Sequence, residues 1–194
     1  MTCTLLTAPT IEPLTISDIE SHSRLYSPDE RVLIESYIVA ARELVETWTN
    51  RALITQTWVL WLDSFPCGHM SIPRPPLQAV TSITYFDEAG EEGTFSAENY
   101  IVDTASVPGR VALNASAMWP TTTLRAVNGV RVEFVAGYGD TADDVPMTIR
   151  QAMRLLVADW YENREATLIM QGITVEALPT GVDALLRSHR IIPL

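Results

Sequence analysis

A chain of 194 residues with 47% hydrophobic side chains is long enough to bury a real core and too apolar for a disordered tail. Its formal charge of −11 excludes a surface built to grip phosphates, and works against binding to nucleic acid and to anionic membranes. All thirteen basic side chains are arginine, which removes lysine Schiff-base chemistry and the phosphate-loop lysine and favours planar ion pairs to carboxylates.

Cys3 and Cys67 make no disulfide framework and fit a reducing compartment. The start Met1-Thr2-Cys3-Thr4-Leu5-Leu6 lacks the basic region of a signal peptide, and no apolar run approaches the roughly 18–20 residues of a membrane span. Cytoplasmic assembly is expected, with no membrane partner.

Residues 1–14 carry two prolines and no period, and read as an extended arm. A short helix is expected near 16–24, with Thr15 as its cap. The run Ser27-Pro28-Asp29-Glu30 combines a capping box with a proline at the first helical position, and predicts a helix over about 28–50. Its apolar stripe is Leu33, Tyr37, Ala40, Ala41, Leu44 and Trp48, with Ile34, Ile38 and Val45 alongside.

From about 53 to 136 the character changes to an antiparallel β unit inserted between helices. Ile54 to Asp63 is β-branched and aromatic, and Ile72-Pro73-Arg74-Pro75-Pro76-Leu77 suits only an extended edge, since proline donates no ladder hydrogen bond. Val80 to Asp87 reads as a strand leading into the acidic hairpin Glu88-Ala89-Gly90-Glu91-Glu92-Gly93. Shorter strands are expected at 100–103 and 109–113. Val130, Val132, Phe134 and Ala136 alternate with Arg131 and Glu133, the pattern of a half-buried strand.

Helix returns over about 146–163, where Ile149, Met153, Leu156 and Trp160 make a core stripe. Residues 165–177 are ambiguous, and a last helix is expected over about 179–188. The fold class is therefore α+β: a helical core around an inserted antiparallel β unit, within one domain of 1–194.

No catalytic constellation emerges. Asp140, Asp143 and Asp144 suit the positive N-terminal end of the following helix better than a metal, since their spacing matches no EF-hand. Cys67 and His69 lack the second pair of ligands that zinc requires and the orienting group of a nucleophilic pair. Gly137-Tyr138-Gly139 is too short for a phosphate fingerprint, no G-x-S-x-G elbow occurs, and Glu162 with Glu165 reads as a solvated helix face. No enzyme activity, cofactor or metal is expected. Two segments look made for partners: the apolar tail Ile191, Ile192 and Leu194 with Arg187 and Arg190 among it, and the acidic loop 87–92. For the tail, a disordered end and a docking segment both remain open.

Several fragments in a fixed order carry a resemblance. They are the proline-rich lead Ile72-Pro73-Arg74-Pro75-Pro76-Leu77-Gln78-Ala79-Val80-Thr81-Ser82-Ile83, then Asn99-Tyr100-Ile101-Val102-Asp103, Pro108-Gly109-Arg110-Val111 and Trp119-Pro120. After them come Val135-Ala136-Gly137-Tyr138-Gly139-Asp140, Val145-Pro146 through Ile149-Arg150-Gln151-Ala152, and Leu178-Pro179-Thr180-Gly181-Val182-Asp183-Ala184-Leu185-Leu186. In this order they resemble the head–tail connector (adaptor) proteins of long-tailed phages and of phage-derived gene transfer agents. The resemblance implies a structural protein that forms a ring with copies of itself, usually dodecameric, under the portal protein. Such a ring links capsid to tail, leaves a channel for DNA, and ends up at the head–tail junction of the particle.

In related adaptors the C-terminal segment makes the portal contact, which here implies Leu185, Leu186, Arg187, Arg190, Ile191, Ile192 and Leu194, and a truncation after about Ser188 that folds but does not bind. Asp87, Glu88, Glu91 and Glu92 are the implied loop for the next connector, a stopper or tail component. The alternatives are a stopper or tail-completion protein, and a ligand-binding module with Trp58, Trp61 and Trp119 as a stacking platform.

Overall fold

The computed structural model describes residues 2–23, 30–163 and 178–192, and the chain divides into two compact units. A β unit comprises 1–10 and 55–138; a helical unit comprises 11–54 and 139–194. The α+β reading holds, with all strand pairs in the sheets antiparallel.

In the β unit, β1 (Thr2–Thr7), β2 (Gln56–Leu62), β4 (Leu77–Phe86), β5 (Glu92–Phe95) and β8 (Val130–Ala136) form a five-stranded sheet in the order β1-β2-β8-β4-β5. A second sheet orders β3 (Met70–Ile72), β7 (Gly109–Leu113) and β6 (Tyr100–Asp103) as β3-β7-β6. The period-two pattern of β8 explains its central place. Val130, Val132, Phe134 and Ala136 are all 0% exposed, and they meet Leu62, Leu60, Trp58 and Gln56 of β2 across the ladder. The proline-rich stretch ends β3 and leads into β4, so the prolines lie outside the ladder they could not join.

The N-terminal arm is a strand rather than a free segment. Its Thr–Leu run pairs with β2 from Thr2↔Trp61 to Thr7↔Thr57, with a register shift between Leu5 and Thr7. The missing hydrophobic period has a cause: β1 is an edge strand exposed along most of its length, so no buried face imposes alternation.

The aromatic residues of the β unit fall into separate groups. Trp119 stacks on Phe65 at 4.8 Å and lies 5.0 Å from Phe95; Trp61 stacks on Phe86 at 6.2 Å; Trp58 lies 4.9 Å under the Arg74 guanidinium. Each indole is thus engaged in its own packing group, and the three do not form a common stacking platform.

The helical unit contains α1 (Ile16–Ser23), α2 (Arg31–Thr49), α3 (Met147–Glu162) and α4 (Thr180–Leu186), the last running into a 3-10 turn at Arg187–His189. Thr15 and Asp18 close a reciprocal cap at the start of α1: the Thr15 N–H donates to the Asp18 carboxylate at 2.9 Å, and the Asp18 N–H donates to Thr15 Oγ1 at 3.2 Å. The expected cap at Ser27 lies outside the described residues, as do residues 165–177. The buried seam of α2 is Ala41 of the expected stripe with the flanking Ile34, Ile38 and Val45; Leu33, Tyr37, Leu44 and Trp48 are half-buried and Ala40 is exposed. On α3 Ile149, Met153 and Leu156 are buried as the spacing requires, while Trp160 is half-buried with its ring edge-on to Tyr37 at 6.1 Å.

Asp144 supports the start of α3. Its carboxylate accepts from Thr141 N at 2.9 Å and from Thr141 Oγ1 at 2.8 Å, and these bonds hold it below the usual carboxylate range. A Cβ on Gly139 would meet this carboxylate at 2.3 Å, so the glycine is needed where the chain passes the cap. Asp143 pairs with Arg150 at 2.7 Å. Two of the three loop acids are thus committed to local structure. Among the described residues no cluster of metal-ligating side chains forms, and no helix is long and apolar enough to cross a membrane.

Candidate functional site

The C-terminal segment lies on the end of α2. After Thr49 the helix stops at Asn50, whose left-handed backbone (φ 55°) is the C-cap conformation that asparagine tolerates well. That turn brings Asn50 and Arg51 to the tail. Asn50 Nδ2 donates to the Ile191 carbonyl at 2.8 Å, Arg51 Nε donates to the His189 carbonyl at 2.6 Å, and the Ile191 N–H donates to the Thr49 carbonyl at 3.0 Å. The Arg190 guanidinium lies over the Trp48 ring, 4.7 Å from its centroid. On the other side, His189 Nε2 and Thr148 Oγ1 share a hydrogen bond of 2.8 Å.

This geometry sorts the residues expected to contact a partner. Arg187, Arg190 and Ile192 are exposed; Leu185 and Ile191 are half-buried. Leu186 is 0% exposed and packs in the helical core, so it anchors α4 and does not face outward. Arg187 is held by Asp183 at 2.6 Å, one helical turn earlier. Leu194 lies outside the described residues. The sequence reading missed Trp48, Thr49, Asn50, Arg51 and Thr148; only the asparagine at the helix end hinted at a built corner.

Removal of everything after Ser188 would delete five hydrogen bonds and the Arg190–Trp48 contact, so it should cost the helical unit about 2–4 kcal/mol. A truncant that stays folded would therefore be a less stable one, and its failure to bind would mix two effects. A change confined to the side chains of Arg190 and Ile192 is the clean probe of this surface.

His189 gives the corner a pH dependence. Burial, and secondly the charge of Arg51, lower its pKa from 6.5. A base with a lowered folded pKa binds fewer protons folded than unfolded. Its contribution is therefore full above 6.5 and is lost as the pH falls through the lowered value. Thermal melts between neutral and mildly acid pH should show the helical unit losing stability in that window, and His189→Gln should flatten the loss. An unchanged slope in the variant would contradict this assignment.

The acidic hairpin is a second exposed feature. Asp87 closes its own turn: its N–H donates to the Glu91 carbonyl at 3.1 Å, and its carboxylate accepts from Glu91 N at 2.9 Å. Glu88, Glu91 and Glu92 project from the hairpin as exposed side chains. Gly90 holds a positive φ of 84°, which the tight turn requires.

Comparison with known proteins follows the same outline. The family model described as head completion protein matches residues 12–192. Three solved chains resemble this one along its whole length. A chain in the neck of an empty GTA particle, computed with C6 symmetry, is 28% identical with a TM-score of 0.79, covering 100% of this chain and 97% of that one. A chain in the virion of a native gene transfer agent (GTA) particle is 27% identical with a TM-score of 0.78, at the same coverage. A third, from the neck of a native GTA particle computed with C12 symmetry, is 26% identical with a TM-score of 0.75, again at that coverage. No curated protein sequence matches. With 12–192 covered by one family model, the chain belongs to the head completion protein family.

Proposed function

We propose that this chain is a head–tail adaptor, a structural protein of the neck of a phage-like particle such as a gene transfer agent. The observation that carries the reading is likeness to neck chains over 100% of this chain and 97% of theirs. Copies of the chain form a ring, usually dodecameric, under the portal protein; assembly takes place in the cytoplasm, and the ring ends at the head–tail junction. The C6 and C12 symmetries of the related necks support an arrangement of copies about an axis. Such an interface is heterologous, one face of a subunit meeting a different face of the next.

The corner formed by α2 and the tail is the proposed portal contact, through Leu185, Arg187, Arg190, Ile191, Ile192 and Leu194, and the hairpin at Asp87, Glu88, Glu91 and Glu92 is proposed to meet the stopper or tail component. The net charge of −11 keeps DNA from adhering as it passes through the channel. A structural role needs no cofactor. Mixing the purified chain with the portal protein encoded near it, and weighing the product by light scattering or native mass spectrometry, tests the assignment. The expected result is a complex with one copy per portal subunit. If both proteins are folded and no complex forms, the portal assignment fails and the stopper position, one layer further along the neck, takes its place.

A further inference from the structure

The corner between α2 and the tail differs in charge from the chain that carries it. Neither Trp48–Arg51 nor Arg187–Ile192 contains an aspartate or glutamate, although the chain as a whole carries −11. Hydrogen bonds from Asn50, Arg51 and Ile191 lock these two acid-free segments together. Three arginines therefore share one corner, but they are not equivalent. Arg187 is paired with Asp183, and Arg51 is turned onto the His189 carbonyl.

Arg190 is different. It is exposed, and among the described residues it makes no ion pair. One face of its guanidinium is occupied by the Trp48 ring. A guanidinium that rests over an indole still carries N–H groups along its edge, and a planar guanidinium can receive a carboxylate through two parallel hydrogen bonds. The stack also removes much of the rotamer freedom that a free arginine would lose on binding. Ile192, 74% exposed, adds an apolar contact beside the fork.

We infer that Arg190, resting over Trp48, receives a carboxylate of the portal protein, and that the surface on which this corner docks is acidic with an apolar neighbour. This rests on the portal reading above. Charge complementarity decides the occupant: an acid-free corner with an unanswered arginine on an acidic chain suits an acidic partner.

The test is equilibrium binding of the full-length chain to the purified portal assembly at low and high NaCl, for wild type, Arg190→Gln, Arg190→Lys and the control Arg31→Gln. Arg31 is an exposed arginine of α2 paired with Glu20 at 3.3 Å, so its replacement removes the same charge elsewhere. Circular dichroism confirms that each variant is folded; among the described residues the Arg190 side chain makes no ion pair, and the backbone bonds of the tail do not depend on it. Arg190→Gln should weaken binding by about tenfold or more and flatten its salt dependence, Arg190→Lys should fall between, and Arg31→Gln should stay within about twofold of wild type. If wild type binds and Arg190→Gln binds equally well, or if Arg31→Gln weakens binding as much, the carboxylate fork is wrong while the portal contact stands. If folded wild type does not bind at all, the portal reading itself fails, and the fork with it.

Discussion

Replacement of Arg42 by alanine should lower the stability of the helical unit by about 3–5 kcal/mol, the range found when one partner of a buried ionic group is removed. Arg42 is 5% exposed and sits among three carboxylates: Glu12 at 2.8 Å, Glu46 at 3.1 Å and Glu43 at 3.6 Å. Glu46 is itself 5% exposed and accepts the Leu53 N–H at 2.9 Å, so it ties the end of α2 to the chain that leaves it. Burial pushes the Glu12 carboxyl up although Arg42 pulls it down, and the carboxylates hold Arg42 protonated against its own desolvation. Without the guanidinium, the buried Glu46 and the partly buried Glu12 lose the cation they share. Urea unfolding followed by far-ultraviolet circular dichroism reads the loss. Adding Glu46→Gln to Arg42→Met should restore part of it, since the amide oxygen still accepts from Leu53 and the most deeply buried of the three carboxylate charges is gone. A loss below about 1 kcal/mol in the single variant would show that water reaches the cluster.

Phe134→Ala should cost the β unit about 3–5 kcal/mol, by lost burial and by the cavity left behind. Phe134 is 0% exposed on the central strand β8, opposite Trp58 of β2 and Val80 of β4. A strand paired on both sides cannot collapse into the gap without breaking one ladder, so little of the cost is recovered. Because Arg42 and Phe134 lie in different compact units, each variant reports on its own unit. The Phe134 change should shift near-ultraviolet signals of the β-unit aromatics, and the Arg42 change should shift the helical signal first. A loss under about 1.5 kcal/mol for Phe134→Ala would mean that the sheet repacks freely.

Where one face of an element is buried, the residues alone gave the element. The alternation of Val130, Val132, Phe134 and Ala136 located β8, and the spacing of Ile149, Met153 and Leu156 located α3. On α2 the period was right and the seam was offset by one position, because Ile34, Ile38 and Val45 flanked an equally apolar line and only the neighbours could choose between them. The edge strand β1 escaped notice since an exposed edge imposes no pattern. The corner at Trp48 and Arg190 was legible only as an apolar tail with arginines. Its partners stand some 140 positions earlier, as in the bond between Asn50 and Ile191, and no local signal links such distant segments.

The sequence by itself determined the fold class, the order and period of the main elements and the acidic balance, because these follow from local spacing and composition; the family outline came from the resemblance of its ordered fragments to head–tail connectors. The tertiary structure decided which side chains of the last segment are spent on the fold and which remain for a partner. Leu186 is buried, Arg187 is answered by Asp183, and Arg190 lies open on Trp48. The physical reason is that burial and ion pairing are properties of what surrounds a side chain, and the surroundings of this segment are supplied by the end of a helix far away in the chain.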